Sequence, residues 1–203
     1  MNLDKLPVNI FDAIVLVVLG LGVWRGRKHG MSEELLMLLK WVSILLACAF
    51  SYEPLGRLIA QEGNFSLLSS YLMAYVSVAL GILILFAGLK RAFGGKLLGS
   101  DLFGKAEYYL GMGAGLVRFT CVLLVALAIL NARFFSDAEI QAMERFQNDV
   151  YGSNFFPGLH NLQAMVFERS FMGPVIRQGL GFLLIKPTAP EEKKFKQKEY
   201  QFP

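Results

Sequence analysis

The feature that most constrains this chain is a series of apolar runs long enough to cross a lipid bilayer. A transmembrane helix needs roughly 20 apolar residues, and the run at 67–89, LLSSYLMAYVSVALGILILFAGL, contains no charged residue. The mean hydropathy of +0.47 and the 17 phenylalanines in 203 residues are too high for an ordinary soluble domain. We therefore predict an all-α integral membrane protein.

Three further apolar runs predict three more spans, which together form a membrane domain over residues 1–131. The first run is followed by the basic segment RGRKHG at 25–30, the reverse of the order in a cleaved signal peptide. We therefore expect it to remain as a membrane span. The prediction is a bundle of four transmembrane helices, at about 8–28, 33–52, 67–89 and 108–130.

The chain becomes more polar after the fourth span. Residues 132–185 predict amphipathic helices that lie on the membrane surface, and Ser136 and Glu139 fit a capping box at the start of the first of them. The stretch 171–185 is short and interrupted by proline and glycine, so we expect it to dock on the membrane surface or on the bundle. The charged segment 186–203 predicts a disordered tail.

Lysine and arginine in short loops predict the orientation, because cytoplasmic loops carry an excess of them. Seven of these residues lie in the predicted loops at 25–30 and 90–106, against two in the predicted loop at 53–66 and the N-terminal segment together. The loops at 25–30 and 90–106 are therefore expected in the cytoplasm. Both termini would then lie outside, in the periplasm of a Gram-negative cell.

The fourth span opens with LGMGAGLVRF, in which Gly111 and Gly115 are four residues apart. Such GxxxG spacing puts both glycines on one helix face and lets another helix approach closely. We expect this face to pack against a stripe of small residues in the third span, formed by Ala74, Ser77, Gly81 and Gly88.

Arg118 places a permanent charge inside the fourth span, at a cost on the order of 3 kcal/mol if it faces lipid near the bilayer centre. Side chains lean toward a helix N-terminus, so Arg118 and Lys40 can reach cytoplasmic water, whereas Asp12 leans toward the outer face. Three roles stay open for Arg118: an anchor at the interface, a polar cluster with Glu34 and Lys40, or binding of a substrate. Glu107 lies three turns away on the same helix, so direct pairing is not expected.

Nothing in the sequence predicts catalysis, a metal site or a cofactor. Cys48 and Cys121 lie within apolar runs and are expected to be small buried hydrophobes without a disulfide. His29 and His160 fall outside the spans, and no metal-ligand spacing is present. We therefore predict no enzyme activity, and no nucleic-acid partner because the lysines of the tail alternate with glutamates.

Two motifs carry a resemblance to a known family. The sequence resembles the colicin V production (CvpA) family over roughly residues 10–130, with His29 and Glu107 where that family usually has arginine and aspartate. The first motif includes HGMSEELLMLLKW and the second is AEYYLGMGAGLVR. Their residues here are Asp12, Gly30, Glu34 and Trp41, then Glu107, Gly111, Gly115 and Arg118.

The resemblance implies an inner-membrane protein linked to production or export of the toxin colicin V and to envelope homeostasis. Polar residues are sparse and lie near span ends, which favours an accessory or scaffold protein. The alternative is a subunit of an oligomeric channel or transporter, which usually needs polar residues at mid-depth. Expected partners are the lipid bilayer and a membrane or periplasmic protein, or further copies of the chain.

Overall fold

A computed structural model describes residues 9–63, 65–97, 104–151 and 158–189. The regular elements in these ranges are all helical, which confirms the all-α prediction. Short 3₁₀ turns precede the third helix and follow the sixth. The helices are α1 (Ile10–Gly63), α2 (Leu67–Leu97), α3 (Glu107–Asn131), α4 (Asp137–Tyr151), α5 (Leu159–Phe167) and α6 (Met172–Leu180).

Among the described residues, three helices are long and apolar enough to cross a membrane: Ile10–Gly63, Leu67–Ala92 and Glu107–Asn131. The predicted span 33–52 and most of the predicted span 8–28 lie within α1, which consists of two helices joined by a kink at Gly30. Whether each segment crosses the membrane separately stays a prediction.

Helix α1 is broken at Gly30, whose φ of 73° and ψ of 174° are not helical. We call residues 10–29 the first arm and residues 31–63 the second arm. The first arm runs antiparallel to α3, because Gly22 lies against Gly115 whereas Gly26, further along the arm, lies against Gly111.

The second arm runs parallel to α3. Glu34, near its start, reaches Arg118, and further along Leu45 clusters with Cys121 and Leu124. Two arms that run in opposite directions along one helix are antiparallel to each other. The chain therefore folds back at Gly30, where glycine adopts the left-handed backbone at little cost.

The C-terminal segment holds the opposite end of the bundle together. The hydroxyl of Tyr52, in the second arm, accepts a hydrogen bond of 3.2 Å from the backbone N–H of Lys186. The side-chain amide of Asn131, at the end of α3, donates to the carbonyl oxygen of Ile185 at 2.9 Å. Ile185 is fully buried, so the stretch 171–185 docks on the bundle at its C-terminal end.

The second arm continues well past the predicted end of its span at residue 52. It passes through Pro54 and ends at Gly63, so most of the expected loop 53–66 is helical. Leaving the apolar run does not end a helix when exposed side chains still support it. Here Arg57 pairs with Glu53 one turn earlier at 2.6 Å.

The capping box predicted at the start of α4 forms in part. The N–H of Glu139 donates to Ser136 Oγ at 3.3 Å, so Ser136 is the N-cap. The carboxylate of Glu139 binds Arg133 instead of reaching back to the cap. The position of α4 on a membrane surface stays a prediction.

The disordered tail is predicted to begin at Lys186, and the structure describes its first residues. The backbone of Thr188 exchanges hydrogen bonds with Ala132 and Phe134 at 2.9 and 3.1 Å, and Lys186 pairs with Glu53 at 2.8 Å. These contacts hold residues 186–189 against the end of the bundle. The rest of the predicted tail, 190–203, lies outside the described residues.

Candidate functional site

A glycine face joins the first arm of α1 to α3. A Cβ added to Gly26 would lie 2.1 Å from the carbonyl oxygen of Gly111, and one added to Gly115 would lie 2.1 Å from that of Gly22. No other residue fits at these positions without moving a backbone. In lipid, where no hydrophobic force drives helices together, such backbone contact contributes packing energy directly.

The expectation that Gly111 and Gly115 pack on the small residues of α2 is wrong. A Cβ added to Gly81 or Gly88 of that stripe would meet no atom within 4 Å. The glycines of α3 contact the first arm instead, because glycines on both helices let the two backbones meet. In α2 the glycines face away from this contact.

The first arm, which the α3 glycines contact, has a glycine spacing that is visible in the sequence. Gly22, Gly26 and Gly30 recur every four residues in GLGVWRGRKHG and line one helix face. The basic residues between them favour a loop interpretation, which hides this spacing. Of the three, the sequence motifs single out Gly30 alone.

Glu107 closes the turn at Gly30. Its Oε1 accepts a hydrogen bond of 2.6 Å from the backbone N–H of Ser32, in the first turn of the second arm. A carboxylate at this position satisfies a terminal N–H and interacts favourably with the helix dipole. A Cβ on Gly30 would lie 2.8 Å from the Glu107 side chain, which would have to shift, and the positive φ of Gly30 favours glycine there.

Arg118 and Glu34 form a buried ion pair between α3 and the second arm. Arg118 Nη1 donates to Glu34 Oε2 at 2.5 Å and to the sulfur of Met37 at 3.1 Å. The two charged side chains are 6% and 1% exposed. The guanidinium carbon also lies 4.7 Å from the centre of the Phe119 ring, a distance suited to a cation–π contact.

The buried contact with Glu34 indicates the role of Arg118. Its side chain meets the carboxylate of Glu34 at the start of the second arm and is buried there. Each charge lowers the cost of burying the other, whereas removing either one would leave an unpaired charge. Because arginine does not lose its proton in proteins, the pair is suited to fixing helix positions and not to carrying protons.

Lys40 lies at a different place from the ion pair. Its Nζ is 5.7 Å from the centre of the Trp41 ring, and with Lys90 it lines a cavity of about 190 Å³ between the second arm and α2. Trp41 packs against buried residues of the core. Of the expected cluster of Arg118, Glu34 and Lys40, the structure joins the first two.

Asp12 caps a helix that lies far away in the sequence. Its Oδ2 accepts hydrogen bonds from the N–H of Phe171 at 3.0 Å and of Asn9 at 2.9 Å, and its Oδ1 accepts one from Met172 at 2.9 Å. Met172 is the first residue of α6. The carboxylate therefore satisfies free N–H groups and stabilises the positive end of that helix dipole.

The described residues contain no group of three or more histidines, cysteines, aspartates and glutamates that could hold a metal ion. Cys48 and Cys121 are buried free thiols, as predicted. Cys48 donates a weak hydrogen bond of 3.4 Å to the carbonyl oxygen of Tyr75. These cysteines therefore serve packing between helices.

The apolar helices, the glycine face, the buried ion pair and the two carboxylate caps define a helical integral membrane protein. The family model described as Colicin V production protein matches residues 11–164. This match covers most of the chain, so the chain belongs to the colicin V production family, as its motifs predict. A search of curated proteins and a search of solved structures gave no match.

Proposed function

We propose that this protein is a non-catalytic accessory or scaffold protein of the bacterial inner membrane. The observation that supports the proposal is how the charged residues of its motifs are used. Arg118 and Glu34 bind each other, Asp12 caps α6, and Glu107 caps the second arm. Because these groups hold the fold together, we expect the protein to act through the outer surfaces of its helices, by binding partners there.

The family description supplies the process. It names colicin V production, and we propose that this protein supports production or export of that toxin and contributes to envelope homeostasis. The alternative, a subunit of an oligomeric channel or transporter, is less well supported. A transport path needs polar groups that face the permeating solute, whereas Arg118 is buried and neutralised by Glu34.

The outer face of α2 is the surface that we propose for a membrane partner or a second copy of the chain. Only 11% of the most apolar stretch of α2 is buried within the protein, against 39% of that of α3. Leu80, Ile84 and Leu85 are exposed there. Gly81 and Gly88 have open space above them, so another helix could approach the α2 backbone closely.

Photo-crosslinking in cells that make colicin V tests this surface. A benzophenone amino acid replaces Leu80 or Ile84 in α2, and Leu16 or Val17 in the first arm provides matched exposed controls. We expect the α2 positions to crosslink to a distinct membrane or periplasmic protein. Adducts to a second copy alone would favour the channel alternative, and equal adducts from both helices would contradict a specific surface.

A substitution on the same surface tests its role in export. Gly88→Leu has room for its side chain, so the folded protein is expected to keep its stability in detergent. If a partner helix docks there, the crosslink weakens and secretion of colicin V falls. Normal secretion by a variant that has lost the crosslink would contradict the scaffold proposal.

The proposed orientation places both termini in the periplasm. A phosphatase reporter fused after residue 203 should then be active, and a fluorescent protein that matures only in the cytoplasm should be dark at the same position. The opposite result would contradict the orientation but not the partner surface on α2.

A further inference from the structure

A cavity of about 660 Å³ opens between the first arm of α1 and the start of α3. It lies beside the turn at Gly30, at the end of the bundle where α3 begins. None of the contacts that hold the ion pair or the caps uses its lining. The residues that line it are Trp24, Arg27, Lys28, Tyr108, Tyr109 and Met112.

The charges in this cavity are all positive. Arg27 and Lys28 supply two cations, and the lining contains no carboxylate. Neither cation forms an ion pair with an acidic group in the described part of the chain. Lys28 Nζ lies 6.0 Å from the centre of the Trp24 ring, so an aromatic ring flanks the cationic site.

The aromatic lining places the cavity at the level of lipid headgroups. Trp24, Tyr108 and Tyr109 are all exposed, and exposed tryptophan and tyrosine at the ends of membrane helices sit at the membrane–water interface. Arginine and lysine at such positions extend their charged ends toward the headgroups. The cavity therefore presents two cations where phosphate groups of the bilayer lie.

We propose that this cavity binds the headgroup of an anionic phospholipid. The guanidinium of Arg27 suits bidentate contact with a phosphate, and Lys28 adds a second positive charge. Met112 and the aromatic rings give the glycerol and upper acyl chain an apolar wall. A lipid fits this lining better than a free phosphate, because the exposed rings open the cavity toward the bilayer.

Fluorescence quenching can measure this binding at one site. The chain has two tryptophans, so Trp41→Phe leaves Trp24 as the only reporter. The full-length protein is placed in phosphatidylcholine vesicles that contain phosphatidylglycerol brominated high on its acyl chains. The reverse labelling, with bromine on phosphatidylcholine, measures the bulk lipid around Trp24.

We expect phosphatidylglycerol to be enriched around Trp24 on the order of 5-fold over its bulk fraction, since basic residues near a membrane surface attract anionic lipid. Arg27→Gln with Lys28→Gln should bring this value close to 1. Lys90→Gln with Arg91→Gln removes the same charge outside the cavity and should leave it unchanged. If the double variant folds poorly, Arg27→Lys is the test: it should lower the enrichment in part, because it keeps the charge but loses the bidentate contact.

Three results would overturn the proposal. One is a phosphatidylglycerol fraction around Trp24 that equals the bulk fraction even when Arg27 and Lys28 are unaltered. Another is an equal loss in both double variants, which would indicate diffuse electrostatic attraction. The third is loss of the enrichment on adding inorganic phosphate but not chloride at equal ionic strength, which would indicate a site for soluble phosphate.

Discussion

Helix α1 meets its two long neighbours in opposite ways. Against α3, its first arm uses bare backbone, as where Gly26 lies against Gly111. Against α2, its second arm uses large side chains. The rings of Tyr52 and Tyr71 meet edge to face with centres 5.5 Å apart and planes at 86°, and Tyr71 also lies over Gly56.

The two contacts differ in how much change they tolerate. Between glycines there is no side chain that can rotate away, so any added atom must push the backbones apart. Aromatic side chains can shift within a contact and still exclude lipid or water. We therefore expect the contacts of α1 with α3 to be rigid and those with α2 to be adaptable, and α2 also carries the proposed partner surface.

The largest expected effect is on the ion pair that reinforces the rigid contact. Glu34→Ala leaves Arg118 buried and unpaired, and should lower the free energy of unfolding by about 3–5 kcal/mol. The double variant Glu34→Leu with Arg118→Met should recover much of this loss, because it removes both charges. Denaturant titration in detergent micelles measures the change.

The control for this pair is Glu53→Ala, which removes an acidic residue from the same helix together with its two more exposed ion pairs, to Arg57 and Lys186. Its effect should be at most about 1 kcal/mol. If Glu34→Ala costs no more than Glu53→Ala, the ion pair does not reinforce the contact between α1 and α3.

The next effect separates two glycines of the same helix. Gly115→Ala should lower stability by about 1–3 kcal/mol, because its Cβ would press on the backbone of Gly22. Gly113→Ala meets no atom within 4 Å, so it should be neutral or stabilise α3 by up to about 1 kcal/mol. Equal thermal midpoints for both variants would refute the rigid glycine face.

Two tyrosines of the adaptable contact should respond differently to loss of the hydroxyl, with smaller changes in stability. The hydroxyl of Tyr75 is buried without a hydrogen-bond partner in the described structure, so Tyr75→Phe should be neutral or stabilising by about 1 kcal/mol. Tyr52→Phe removes the acceptor of the Lys186 N–H and should cost about 0.5–1.5 kcal/mol. Thermal unfolding that shows a loss for Tyr75→Phe would mean that its hydroxyl has a partner.

The smallest effect concerns the exposed pair of Lys186 and Glu53. Its hydrogen bond with the Glu53 carboxylate raises the pKa of Lys186 above the ordinary value of 10.5. The stabilisation is therefore present below pH 10.5 and lost as the pH rises through the raised pKa. Lys186→Gln should lower the melting temperature only slightly near neutral pH, and the difference should vanish at high salt or high pH. A difference that persists in high salt would indicate a contact other than this ion pair.

The sequence predicted the helical membrane class, the family and most of the residues that hold the bundle together. It offered a cluster of Arg118 with Glu34 and Lys40 as one alternative, and the structure shows the pair of Arg118 and Glu34. It assigned the wrong partner to Gly111 and Gly115, because spacing identifies a face of one helix but not which other helix meets it. It also ended the second arm too early, since apolar length marks the membrane and not the end of the helix.

The sequence by itself determined that the chain lies in a membrane and where its few charged residues fall within the apolar runs. Long apolar runs allow only helices in a membrane, because every backbone polar group there must be paired within the protein. Only the tertiary structure decided which groups meet: the fold-back at Gly30 brings the second arm parallel to α3 and Glu34 to Arg118. Asp12 likewise finds α6, more than 150 residues away, because such contacts depend on packing between helices and not on any local pattern.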